Sequence, residues 1–265
     1  MLGIIIGIAS IIAIVSTIQG TNRQIEKNLI GAGDNLVKVT LYQDGYTYYM
    51  DNGLPNGVPV IEDSTKEQLA SIDHCEGVSV FRQRESYNMV YHLNTSMSGG
   101  YIRGIESDYL QTAGLMVKSG RGISDEDNRQ LRQVALLDEN TAQALFDGET
   151  PVGKTIEIQS IPFTVIGTVV AKEEFEPNIE TMDDYYMYHQ DNGGAVYIPT
   201  EMWPLIYQYD EPQSVILQAD NTANMTSVGK QASDILNMSV SNENVKYQAQ
   251  DLMEQAKQIQ QLSQS

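Results

Sequence analysis

The first twenty residues, MLGIIIGIASIIAIVSTIQG, contain no charged side chain. Residues 2 to 18 are mostly Ile, Leu, Val, Ala and Gly. As a helix they would span about 26 Å at ~1.5 Å per residue, against a bilayer core of about 30 Å. A secretory signal opens with basic residues and ends at a small-residue cleavage site. Here no Lys or Arg precedes the apolar run, and Thr17-Ile18-Gln19 is a poor site for cleavage. The run therefore reads as a transmembrane helix that has lost its cytoplasmic beginning. The chain reads as a piece of a longer membrane protein whose remaining residues fold outside the bilayer.

Charge narrows the choice of partners. The 265 residues carry 16 Lys and Arg against 35 Asp and Glu, a formal charge of -19. Such a chain repels nucleic acid and anionic lipid headgroups, and no basic stripe offsets the repulsion. Cys75 is the single cysteine, which excludes an intrachain disulfide and any Cys-rich zinc site. His74 stands beside it, but sequence neighbours rarely face each other productively, so Cys75 reads as a small residue near a helix end.

After Gly20 an amphipathic helix continues, with Ile18, Ile25 and Leu29 on one stripe and Gly31 or Gly33 as its stop. NLVKVTLYQ (35–43) alternates like a strand, and 44–59 reads as a hairpin or loop. Ser64 with Glu67 has the spacing of a capping box for a helix STKEQLASI. Residues 78–93 read as one long strand or a bent pair, and YIRGI (101–105) as another strand. SDYLQTAGL suggests a short helix, GRGISDEDN a turn in which Ser124 faces Asp127 at a helix start, and VALLD (134–138) a buried strand. ENTAQALF (139–146) reads as a helix, and TIEIQ (155–159) and FTVIGTVV (163–170) as strands paired across Ser160-Ile161-Pro162. Residues 172–194 form a long loop with seven acidic residues and one basic, and AVYIP (195–199) follows as a strand. SVILQA (214–219), a helix from about Asn224 to Asn237 with Met225, Val228, Ala232 and Ile235 on one stripe, and VKYQAQ (245–250) complete the folded part. A Gln-rich helix follows, with Leu252, Ala256, Ile259 and Leu262 along one side. Strand–helix–strand thus occurs near the start and again near the end, around a mostly β block. The class is α+β, and two such units can share one sheet as a split βαβ fold, with the middle block inserted.

One motif invites an enzymatic reading. GETPVGKT (148–155) satisfies the phosphate-loop pattern at every fixed position. A phosphate loop, however, follows a strand and opens a helix whose N-terminal N–H groups hold the anion. Here a helix precedes Gly148 and an alternating strand follows Lys154, so the pattern reads as a helix cap, a turn and a strand entry. The group Asp183, Asp184, His189 and Asp191 matches neither a calcium-hand loop nor a zinc helix. No catalytic residue, cofactor site or metal site is expected. Tyr42, Tyr46, Tyr48 and Tyr49 near the first loop, and Tyr185, Tyr186 and Tyr188 in the second, are the residue type favoured where partners dock. The last three are the candidate substrate or partner contacts. Asn94-Thr95-Ser96 also fits a glycosylation sequon.

MLGIIIGIASIIAIVS resembles the first transmembrane helix of MacB-type ABC transporter permeases. The segments YIRGIESDYL, SGRGISDED, VALLDENTAQALFDGETPVGKTIEIQSIPFTVIGTVV and AVYIPTEMW are similar, in order and spacing, to that family's extracytoplasmic core pattern. The resemblance implies a domain lying outside the membrane, periplasmic or extracellular, between two membrane helices. Its parts would be a transmembrane helix 1–20, a stalk helix 21–33, a discontinuous porter-like part 34–105 and 211–249, an inserted mostly-β sabre-like part 106–210, and a second stalk helix 250–265. Ile25 and Leu29 would pair with Leu252, Ile259 and Leu262 in that stalk. It further implies a non-catalytic permease working as a dimer with a separate ATPase subunit or domain, in some members with an adaptor. ATP-driven motion would pass outward by mechanotransmission to export a peptide, antibiotic, toxin or lipoprotein. The rival reading is a membrane-tethered binding or adhesion domain with no transport role.

Overall fold

A computed structural model describes residues 35–86, 89–172 and 194–250. The strand expected at the start is β1 (Leu36–Gln43), whose residues alternate between buried and half-buried. Asp44 and Gly45, both at positive φ, turn it into the short β2 (Tyr46–Thr47). Next comes α1 (Asp63–Ala70), which begins one residue earlier than the Ser64 cap predicted. Its N-cap is Glu62, no side chain caps it, and Ser64 falls inside the first turn. The backbone N–H of Ile61 donates to Gln213 Oε1 at 2.7 Å, which fixes the approach to the helix, and Asp63 then suits the positive end of the helix dipole. A tertiary contact overrides the local capping signal.

β3 (Cys75–Glu85) ends where the long strand was expected to continue. The chain leaves it at Ser86, and β4 (Val90–His92) with β5 (Thr95–Ser96) forms a hairpin at the far edge of the sheet, on β9 (Thr155–Ile158). Val90 and Met97 are wholly buried there, and that burial draws the hairpin away from β3. β6 (Tyr101–Ile105), the one-turn α2 (Tyr109–Thr112) and the capped α3 (Asp125–Arg129) sit where the sequence put them. Between α2 and α3 lies β7 (Leu115–Gly120), which the sequence reading missed. Its six residues, LMVKSG, are mostly exposed and show no polar–apolar alternation, and it is a strand because the edge of β10 (Ile161–Ala171) supplies its hydrogen bonds.

β8 (Val134–Asp138) and α4 (Glu139–Phe146) match the expected ranges. β9 and β10 form a tighter hairpin than expected. Gln159 and Ser160, both at positive φ, make the turn, while Ile161 and Pro162 already pair with Ile158 and Glu157. β11 (Ala195–Pro199), α5 (Trp203–Ile206), β12 (Ser214–Ala219), α6 (Met225–Asn237) and β13 (Lys246–Ala249) complete the described chain.

The strands join in one sheet, ordered β13-β1-β12-β3-β6-β11-β8-β10-β9-β4-β5, with β2 on β1 and β7 on β10. The first four are all antiparallel neighbours. With α1 between β1 and β3 and α6 between β12 and β13, they form the split βαβ unit that the two strand–helix–strand segments suggested. The helices cover one face through Val37, Val39, Leu41, Leu69, Val215, Leu217, Val228 and Leu236. On α6 the fully buried stripe runs through Leu236, with Ile235 only partly buried beside it. A second core lies where β6 meets the inserted strands, around Ile102, Leu137, Ile156, Phe163 and Ile198, with Trp203 of α5. A third fills the opposite face at mid-sheet, where Phe81, Ile105, Tyr109, Leu136, Tyr197 and Ile216 meet.

Candidate functional site

β1 and β13 are neighbours, and they run antiparallel with Val39 opposite Ala249 and Tyr42 opposite Lys246. The Gln250 N–H donates to the Lys38 carbonyl at 2.8 Å. The chain therefore enters the sheet at Asn35 and leaves it at Gln250 along one edge and at the same end of two paired strands. The stalk residues Ile25, Leu29, Leu252, Ile259 and Leu262, and the contact candidates Tyr185, Tyr186 and Tyr188, lie outside the described residues, as do Asp183, Asp184, His189 and Asp191.

Above this edge, β3 ties the split βαβ unit to the strands inserted into it. The guanidinium of Arg84 donates to both oxygens of Glu211, at 2.8 and 3.2 Å, and to Asp51 Oδ1 at 3.1 Å. Glu211 is completely buried; burial pushes its carboxyl up, and the Arg84 pair draws it back toward the charged form. Arg84 also lies 5.0 Å from the centroid of the Tyr207 ring. Two residues back along the strand and on the same face, Arg82 donates to Thr200 Oγ1 at 2.9 Å and to the Tyr209 carbonyl at 3.2 Å. Two arginines on one strand thus hold the segment 200–211 that leads from β11 into β12. The sequence alone singled out neither.

Beside this brace a broad open groove of about 1090 Å³ runs between α1, the β6–α2 turn, α3 and the turn after β11. Lys66 donates to Glu106 and, at 3.1 Å, to Asp108. Ser79 Oγ donates to the other Asp108 oxygen at 2.6 Å, and Ser107 donates to Asp125. Its walls are polar and draw on elements of both halves of the sheet. Among the described residues no cluster of His, Cys, Asp and Glu is arranged to hold a metal ion.

The motifs singled out in the sequence take structural places. GETPVGKT occupies a helix–turn–strand arrangement: Asp147 caps α4 in the left-handed region, Lys154 N donates to the Pro151 carbonyl, and β9 begins at Thr155. Gly153 N donates to the Val165 carbonyl at 2.7 Å, so these N–H groups are spent on the fold. Lys154 pairs with Glu149 and sits 5.6 Å from the Phe146 ring centroid. Ser124 and Asp127 form a reciprocal capping box, and Arg121 holds the buried Asp127 carboxylate with two bonds at 2.6 and 2.9 Å. Gly120 and Gly167 are paired partners, and a Cβ on Gly120 would lie 2.1 Å from the Ile166 carbonyl oxygen. Gly104 faces Trp203, whose ring a Cβ would meet at 2.8 Å. His74 bonds to Asp220 at 2.7 Å rather than to Cys75, which opens β3 half-buried. Among the described residues no helix is long and apolar enough to cross a membrane, and residues 1–20 lie outside them.

With this geometry in view, comparison with known proteins is specific. The family model for the MacB-like periplasmic core domain matches residues 1–235. The chain is similar to the ABC transporter permease YvrN of Bacillus subtilis, 30% identical over 272 residues, covering 100% of this chain and 64% of that protein. It is also similar to the macrolide export ATP-binding/permease protein MacB of Aggregatibacter actinomycetemcomitans, 31% identical over 169 residues, covering 64% of this chain and 25% of that one. The chain thus spans less than two thirds of the length of either relative. Its fold is similar to the crystal structure of the periplasmic region of MacB from Actinobacillus actinomycetemcomitans. The TM-score there is 0.61 at 21% identity, over 88% of this chain and 97% of that one. The extracellular domain of the transporter YknZ from Gram-positive bacteria gives a TM-score of 0.55 at 18% identity, over 82% of this chain and all of that one.

Proposed function

The chain belongs to the family of MacB-like periplasmic core domains, and from that premise we propose that it is the extracytoplasmic part of an ABC transporter permease that passes ATP-driven motion outward to a substrate. The observation that carries this reading is the shared edge of β1 and β13. A domain inserted between two membrane helices must return its chain to the face it left, and paired entry and exit strands do so with no added linker. The split βαβ unit is then the porter-like part that the stalk moves, and the inserted strands are the sabre-like part that reaches outward. The two arginines of β3 carry the displacement, Arg84 through its bidentate pair with Glu211 and Arg82 through Thr200 and the Tyr209 carbonyl. They do so because these directional bonds tie β3 to the segment 200–211. ATP hydrolysis resides in a separate ATPase subunit or domain, and a second permease copy completes the transporter. The exported substrate belongs to the peptide, antibiotic, toxin or lipoprotein class.

The test uses the full permease with its ATPase in membranes. In a Cys75→Ser background, cysteine pairs are introduced between residues 21–29 and 251–262. Helices packed side by side have axes about 8–10 Å apart, within reach of a crosslink. We expect crosslinks within one protomer, with yields that differ between the ATP-trapped and nucleotide-free states. Crosslinks whose yield ignores nucleotide would refute mechanotransmission. The absence of crosslinks at every pair, together with failure to co-purify an ATPase, would favour the tethered binding domain.

A further inference from the structure

β13 is the last strand at one end of the sheet, beyond β1, so one of its sides faces no strand among the described residues. Along an antiparallel pair, residues alternate between bonding their neighbour and pointing their N–H and C=O away from it. The Gln250 N–H donates to the Lys38 carbonyl, which makes Lys38–Gln250 a bonded pair. Along the register, Thr40–Gln248 and Tyr42–Lys246 fall in the same class, and Leu41–Tyr247 falls in the other. The N–H and C=O of Tyr247 therefore point out of the sheet edge, where a further strand would attach. Both are occupied. Tyr247 N–H donates to Asn237 Oδ1 at 2.7 Å, and Asn237 Nδ2 donates to the Tyr247 carbonyl at 2.8 Å. Asn237 is the last residue of α6. An amide serving its own helix would bond the last carbonyls of that helix, but this one reaches 10 residues on to another element. Tyr247 is held from within the sheet as well: its ring is buried in the first core, and its hydroxyl donates to the Gln213 carbonyl at 2.9 Å.

We propose that Asn237 is a substitute strand: its amide closes the sheet edge from which the chain leaves and keeps a second copy of this chain from adding there. The two bonds reproduce the exchange of N–H and C=O that an antiparallel neighbour makes with a bonded residue. An open edge pairs readily with its own copy about a two-fold axis, because each copy offers the same donors and acceptors. With Tyr247 already paired, an incoming strand would have to displace the amide before gaining its central pair of bonds. Two other features of β13 act in the same direction, its length of four residues and the exposed Lys246.

The test compares the full chain in non-ionic detergent with its Asn237→Ala and Asn237→Asp variants, each first shown to unfold cooperatively. Amide hydrogen exchange is read at Tyr247 against Lys246 and Gln248, whose N–H groups face β1. Self-association is read by sedimentation over a wide range of concentration. Asn237→Ala should speed exchange at Tyr247 by about tenfold with its two neighbours unchanged. The same variant should self-associate about tenfold more strongly than the native chain, because the freed groups find partners on a second copy. Asn237→Asp keeps an acceptor for the Tyr247 N–H and places a charge at the edge, so exchange and association should both stay at the native level. Unchanged exchange at Tyr247 in Asn237→Ala, faster exchange without added association, or equal association in both variants would overturn the proposal. None of these readings depends on nucleotide or on an exported substrate, so the outcome stands apart from the crosslinking test.

Discussion

At the scale of single residues, the charges that matter are the few held away from water. Asp127 is fully buried and accepts bonds from Arg121, Ser124 and Arg132. Its carboxyl is held well below the usual range: burial opposes the charge, and the Arg121 and Ser124 bonds outweigh it. A depressed folded value means that the stabilisation is complete above the unfolded pKa, about 4, and is lost as pH falls through the folded value. Asp127→Asn should therefore cost about 2–4 kcal/mol near pH 7 and flatten the acid limb of stability against pH, both read by urea unfolding from pH 2 to 7. An acid limb unchanged by the substitution would remove Asp127 from the account. Lys38 has the opposite sign. Its folded value is lowered to about 7, so the fold disfavours its charged form. Stability should rise with pH between about 7 and the unfolded value near 10. Lys38→Met should remove that rise and gain about 1 kcal/mol at pH 6. A loss of stability there would show that the ammonium is well solvated.

At the scale of elements, two close approaches decide where helices and strands can sit. Gly229 lets α6 lie against β1 and β13: an added Cβ would be 2.7 Å from Ala249 Cβ and 2.9 Å from Val37 Cγ1. Alanine is the better helix former by about 1 kcal/mol, yet here it must push the helix off the edge that carries the chain ends. Gly229→Ala should destabilise by about 1–3 kcal/mol, and adding Ala249→Gly should restore part of the loss, a coupling that a double-mutant cycle reads directly. Additive effects would mean that the helix moves freely. The GETPVGKT segment makes the complementary point about order. Its glycines and lysine match a pattern, but the element after Lys154 is β9 and not a helix. Titration with Mg-ATP should show no saturable binding that Lys154→Ala abolishes.

At the scale of the whole molecule, the continuous sheet is the main consequence. β3 and β6 join the split βαβ unit to the inserted strands through the register Phe81–Ile105 to Glu85–Tyr101. The buried Arg84–Glu211 pair closes the same junction from the other side. Sub-structures so joined should unfold together. Calorimetry of the chain should give one transition whose calorimetric and van't Hoff enthalpies agree. Glu211→Gln should lower its midpoint, because it removes the buried bidentate partner of Arg84 and leaves only the more exposed Asp51 to balance the guanidinium. Two resolved transitions would show that the inserted strands are an independent unit, which a lever connected to a stalk could not be.

The sequence by itself determined the elements whose signals are local. The alternation of β1 and β9, the apolar run of β8, the amphipathic pattern of α6 and the Ser124–Asp127 box all follow from side-chain periodicity or from groups three residues apart. Each formed close to where it was read, with the buried stripe of α6 passing through Leu236 in place of Ile235. The charge balance and the order of elements around Lys154 were equally legible. Tertiary structure decided what depends on partners far along the chain. β7 is short and lacks alternation, LMV followed by KSG, and exists because β10 offers an edge. The β4–β5 hairpin leaves β3 because the second core has room for Val90 and Met97. Gln213, 152 residues from Ile61, resets the start of α1. The pairing of Arg84 with Glu211 likewise has no signature in sequence. The physical reason is common to all of these: a hydrogen bond or a charge pair between distant residues is worth as much as a local one, but only the closed sheet brings its halves within reach.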